Sequence, residues 1–124
     1  MNQSPKRILL VEDNKHLREL ICLALELDSY LIEARGDGRE AIDFLKENEV
    51  DLIILDLFMP VLDGKYVLHW LRNEKKSNTP VLVMTAMTDA KTLLNIMECG
   101  ANYVMNKPLH MEQISTAITK LLDV

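Results

Sequence analysis

Asp56 closes the apolar run Leu52-Ile53-Ile54-Leu55. An acidic side chain at the mouth of a buried strand stands where α/β proteins bind their ligands. The arrangement recurs along the chain. Ile8-Leu9-Leu10-Val11 runs into Glu12-Asp13, Val81-Leu82-Val83-Met84 into Thr85-Ala86, and Tyr103-Val104-Met105-Asn106 into Lys107-Pro108. Carboxylates, a hydroxyl and an ammonium thus all arrive at strand ends. Like charges held close raise one another's proton affinity unless a cation offsets them. An all-oxygen donor set of Glu12, Asp13 and Asp56 suits Mg2+, with Mn2+ as an alternative. Zinc is disfavoured, because no His or Cys lies near these strand ends. Lys107 either neutralises surplus carboxylate or binds an oxyanion arriving beside Asp56. Thr85 offers a hydroxyl there, or simply ends a core strand. Together these groups would surround a tetrahedral dianion on Asp56, whose carboxylate can act as a nucleophile to form an acyl phosphate. Helix capping is the plainer role for the acids, and Asp13 or Asn14 can cap the helix that follows. Capping leaves Asp56 and Lys107 at the same rim unexplained.

The elements that must position these groups alternate throughout. Strands are expected at 7–11, 30–34, 51–55, 81–84 and 102–105, and helices at 14–28, 38–48, 65–75, 89–99 and 110–122. Helix one presents Leu17, Leu20, Ile21, Ala24 and Leu25 on one face, helix two Ala41, Ile42 and Leu45, and helix five Met111, Ile114, Ala117, Ile118, Leu121 and Leu122. Gly100 is placed to end helix four in a left-handed cap, and Ser77-Asn78-Thr79-Pro80 is a turn by composition. Repeated strand–helix units with short connections require a parallel sheet covered on both faces. Strands one, three and four are apolar almost throughout and read as central; the more mixed strands two and five suit edges. The fold class is therefore α/β, a flavodoxin-like doubly wound (βα)5 three-layer sandwich. For such folds the strand order is 2-1-3-4-5, with the ligand crevice between strands one and three.

At 124 residues the chain is expected to form one domain, 1–124. Its 48% hydrophobic and 27% charged content is that of a globular protein. No apolar stretch approaches the length of a membrane span, and the start lacks the apolar region of a signal peptide, so the expected location is the cytoplasm. A net charge of −5 argues against nucleic-acid binding within this chain. Cys22 and Cys99 lack metal-type spacing and read as reduced structural thiols. His16, His69 and His110 read as solvated, and Trp70 as core packing.

The motifs Val11-Glu12-Asp13-Asn14, Asp56 with Met59-Pro60 and Asp63-Gly64, Thr85-Ala86, and Gly100-Ala101-Asn102-Tyr103 with Lys107-Pro108 occur in order at matching strand ends. Over essentially its whole length the chain resembles a response-regulator receiver domain of two-component signalling, of the chemotaxis-regulator type. The resemblance implies a phosphorylation-activated switch rather than a turnover enzyme, with Asp56 as phosphoacceptor. Asp13 and Asp56 would ligate Mg2+ with the main-chain carbonyl of Phe58, and Glu12 would act through bound water. Thr85 and Lys107 would contact the phosphoryl group, and Lys107-Pro108 would be joined by a cis peptide. Met59-Pro60 would shape the loop over the site, and Asp63-Gly64 would open helix three. Thr85 and Tyr103 would move together on activation, reported by helix four, strand five and helix five. The implied phosphodonor is a sensor histidine kinase or a histidine phosphotransfer protein, and the domain would be a monomer or a phosphorylation-dependent dimer.

Some positions depart from the ordinary pattern. Leu93, Leu94, Ile96 and Met97 make helix four more apolar than one buried stripe requires. Asn95, Asn102 and Asn106 are neutral where many DNA-binding relatives pair charges to dimerise, which favours a different partner. In relatives helix one helps dock the phosphodonor; here Leu23 and Leu27 are either a docking surface or part of a wide core stripe. Phe58 and Met87 flank the path of a water attacking the acyl phosphate, and bulky apolar groups there predict slow autodephosphorylation.

Rival functions fit less well. A flavodoxin-like electron carrier would need a hydroxyl- and glycine-rich phosphate cradle where Glu12-Asp13-Asn14 stands. A phosphatase with an aspartyl nucleophile would need a second acid where Phe58 stands. An unphosphorylated receiver used only as an interaction module is the remaining alternative.

Overall fold

The computed structural model describes residues 4–59, 61–86 and 89–122. Along them run β1 (Arg7–Val11), α1 (Lys15–Leu27), β2 (Leu31–Arg35), α2 (Gly38–Glu47), β3 (Leu52–Asp56), α3 (Gly64–His69), β4 (Val81–Thr85), α4 (Ala90–Glu98), β5 (Tyr103–Asn106) and α5 (Met111–Leu122). The strands form one parallel sheet in the order β2-β1-β3-β4-β5, the flavodoxin-like topology expected.

Strand parity divides the core. Leu9, Val11, Ile53, Leu55, Val81 and Val83 pack with α2, α3 and α4, whereas Ile8, Leu10, Leu52, Ile54, Leu82 and Met84 pack with α1 and α5. Because successive side chains alternate between faces, an unbroken apolar run fills both layers at once. Helices begin on local chemistry. Asn14, Asp37, Asp63 and Asp89 each accept the backbone N–H three residues on, from Leu17, Glu40, Tyr66 and Thr92. Gly100, at φ +113°, takes the left-handed conformation after α4.

Three expectations need correction. α-Helical geometry in helix three stops at His69, and Trp70–Glu74 continues as a π-helical turn in which the Lys75 N–H donates to the Trp70 carbonyl at 3.0 Å. Arg72 anchors this turn to distant chain, donating at 2.8 Å to the carbonyls of both Ser77 and Gly100, so the side-chain periodicity of the segment did not reveal it. Leu20 is 55% exposed rather than inward. With roughly 100° between successive helical residues, the fully buried Ile21 and Leu25 leave Leu20 on one side, aligned with the exposed Leu23 and Leu27. Asp56 lies within β3 rather than beyond it, paired with Met84.

Val61, between β3 and α3, has φ +70°, a costly conformation for a β-branched residue, and its side chain is 78% exposed. Val61→Asn should therefore stabilise the fold by about 1 kcal/mol, because Asn tolerates the left-handed region. The urea midpoint should rise without a change in slope; an unchanged or lower midpoint would contradict this account.

Candidate functional site

Sheet register brings the first two carboxylates together. Val11 stands opposite Leu55, so the next rung places Glu12 beside Asp56, with the same parity. Glu12 is fully buried and Asp56 is 3% exposed. Asp13 lies exposed at the rim, and one oxygen from each of the three carboxylates falls within 4.8 Å of the others.

Lys107 enters from the end of β5. Its ammonium lies 3.1 Å from Glu12 Oε1 and 3.3 Å from Asp56 Oδ2. The Lys107 backbone N–H donates to the Thr85 carbonyl at 2.8 Å, and the Lys107–Pro108 peptide is cis, as the resemblance to receiver domains implied. Thr85 itself is fully buried at the end of β4. A backbone N–H occupies the other oxygen of each buried acid: Asn14 donates to Glu12 Oε2 at 2.9 Å and Phe58 to Asp56 Oδ1 at 3.3 Å. Gly64 lets α3 start hard against the site, because a Cβ there would collide with the Asp56 carbonyl oxygen and come within 2.9 Å of Leu57 Cα.

Burial pushes the Asp56 carboxyl up to about 7 and the charge of Glu12 adds to the rise, while Lys107 and the Phe58 amide pull it back. Burial works against the Lys107 ammonium, yet its hydrogen bond to Glu12 and the charge of Asp56 outweigh that and hold its pKa above the ordinary lysine value. Three carboxylates facing one ammonium leave a surplus of negative charge when ionised. A hard divalent cation fits this oxygen-only set.

The other candidate residues lie around this centre. Met59 is half-buried against the α2–α3 side of the core, and Asp63 caps α3. Phe58 is 54% exposed, and Ala86 and Pro108 are exposed at the rim. Tyr103 is 42% exposed on the edge strand, outside the carboxylate cluster. Pro60 and Met87 fall outside the described residues. One contributor escaped the sequence reading. Arg18 donates to the main-chain carbonyl of Glu12 at 2.8 Å. Its only sequence signal is its place one helical turn after the cap Asn14, from which a long side chain reaches back toward the helix start.

The family model described as the response regulator receiver domain matches residues 8–119. The chain belongs to this family. The response regulator MprA of Mycolicibacterium vanbaalenii is 34% identical over 118 residues, covering 95% of this chain and 51% of that protein. This receiver domain thus spans about half the length of the curated relatives it matches. The signal receiver domain of a histidine kinase from Syntrophus aciditrophicus is 32% identical with a TM-score of 0.86, covering 95% of this chain and 90% of that one. A CheY-like receiver domain protein from Methanospirillum hungatei, 21% identical with a TM-score of 0.90 over 97% of this chain and 95% of that one, shares the fold. Receiver domains serve phosphorylation-based signalling with histidine kinases as partners, generally use Mg2+ and are not classical enzymes. The electron-carrier and phosphatase readings fall away with that assignment. No described helix is long and apolar enough to cross a membrane.

A carboxyl that binds its proton more tightly folded than unfolded contributes stability fully below the unfolded pKa, near 4, and loses it as pH rises through about 7. In metal-free buffer at pH 8, Asp56→Asn should therefore stabilise the domain by roughly 1–3 kcal/mol, a gain that shrinks toward pH 5. Melting curves of both proteins across that range check this. An equal or lower melting temperature for the variant at pH 8 would rule it out.

Proposed function

We propose that this receiver domain, read as one unit over 1–124, accepts a phosphoryl group on Asp56 from a sensor histidine kinase or a histidine phosphotransfer protein in the cytoplasm. The observation that carries the reading is the holding of Asp56: Oδ2 on Lys107, Oδ1 on the Phe58 amide, within a three-carboxylate cluster. In the transfer, a carboxylate oxygen of Asp56 bonds to phosphorus as the donor's P–N bond breaks, and the donor imidazole leaves. Asp13, Asp56 and the Phe58 carbonyl would hold Mg2+, with Glu12 acting through water. The bound ion would offset charge on the transferring group. Lys107 and Thr85 would then take the phosphoryl oxygens.

Phosphorylation shifts the domain by its differential contacts with two states. The outward Tyr103 would follow Thr85 inward, changing the surface of α4, β5 and α5. Leu94 and Met97 are exposed there, as the apolar surplus of helix four suggested, and would meet a downstream partner.

Intact mass after incubation with a small acyl-phosphate donor tests the acceptor. One added phosphoryl group is expected on the wild type with Mg2+, and none without the metal or on Asp56→Asn. Absence of any adduct, with a stable phosphoryl mimic also failing to bind, would instead leave a docking module. Lifetime offers a second measurement. Phe58→Asn should shorten the half-life of the phosphorylated form by about tenfold, through better access for water; equal or slower decay would defeat the shielding role.

A further inference from the structure

Asp13 is the exposed member of the carboxylate cluster, and its side chain has no hydrogen-bond partner among the described residues. Its aim therefore depends on the backbone that carries it. That backbone is held at several points. The Glu12 N–H donates to the Arg35 carbonyl at 3.1 Å, the Asn14 N–H donates to Glu12 Oε2 at 2.9 Å, and the Asn14 carbonyl accepts from the Arg18 N–H at 2.9 Å. The Glu12 and Asp13 carbonyls have another holder. Arg18 Nη1 lies 2.8 Å from the Glu12 oxygen and, more loosely, 3.5 Å from the Asp13 oxygen, so one guanidinium nitrogen spans the peptides on either side of Asp13. The guanidinium lies beside the turn between β2 and α2, where Gly36 has no side chain and a Cβ would come within 3.4 Å of the same nitrogen.

We propose that Arg18 is a positioning residue of the metal site, fixing the peptides around Asp13 so that its carboxylate converges with that of Asp56. This rests on the reading of the cluster as a Mg2+ site. Arg18 binds carbonyls and contacts none of the carboxylate oxygens, whereas Lys107 occupies one oxygen of Glu12 and one of Asp56. It can therefore order the site without competing for the cation.

Calorimetric titration of the metal-free domain with Mg2+ tests this, using wild type, Arg18→Met, Arg18→Lys and Lys15→Met. Lys15 is exposed at the start of the same helix, so its variant controls for the loss of one positive charge. Arg18→Met should weaken Mg2+ binding about tenfold, the scale of losing a group that orients a ligand. Arg18→Lys should recover much of the affinity, and Lys15→Met should stay within about twofold of wild type. Far-UV dichroism confirms folding; if Arg18→Met is unfolded, Arg18→Gln carries the same comparison. Three results would overturn the role: Arg18→Met (or Arg18→Gln) within twofold of wild type, an equal loss in Lys15→Met, or no recovery in Arg18→Lys. No Mg2+ binding by wild type would instead overturn the reading of the metal site.

Discussion

Two carboxylates buried side by side, Glu12 at the end of β1 and Asp56 at the end of β3, set the conditions for the groups around them. Buried charge is costly unless paired, and two like charges are costlier still. The pairing cation comes from far along the chain, since Lys107 is separated from Glu12 by 95 positions. β4, α4 and β5 must therefore all be in place before the pair is neutralised. The strand order follows the same demand, because β1 and β3 must be neighbours and β5 close enough for a lysine to reach both acids.

Main-chain groups do much of the holding. The amides of Asn14 and Phe58 each take one carboxylate oxygen, and the Thr85 carbonyl fixes the backbone from which Lys107 extends. Such donors lose little freedom in folding, because neighbouring strands and caps already place them. Gly64 completes the enclosure by letting α3 abut the end of β3. The price is an Asp56 whose charge is poorly stabilised without metal. That penalty is tolerable because two core layers, one on each face of the sheet, support the strand ends independently of it.

Apolar side chains remain on two sides of this frame. Leu20, Leu23 and Leu27 line the outer side of α1, and Leu94 and Met97 lie on α4 near Tyr103. They flank opposite layers of the sandwich, so contacts at one do not sterically exclude contacts at the other. Separate surfaces would suit the proposed passage of a signal from a phosphodonor to a downstream partner.

Most of the fold was legible because parallel sheets carry a strong local signature. Runs such as Leu52–Leu55 are apolar at every position, and the cap Asn14 and the terminator Gly100 act within a turn of their helices. Asp56, Glu12 and Lys107 could be singled out for the same reason, since each ends or follows such a run. Local rules failed where distant chain decides. The π-helical turn is tied down by Arg72 reaching Gly100, and the exposure of Leu20 depends on which arc of α1 the sheet covers. Arg18 could not be singled out locally, because its role depends on the loop before it folding back under its side chain. By itself, then, the sequence determined which elements form and which chemical groups stand at their ends, because hydrophobic period and capping act over a few residues. Only the tertiary structure decided which oxygen meets which nitrogen, because register and crossover join residues that the chain keeps far apart.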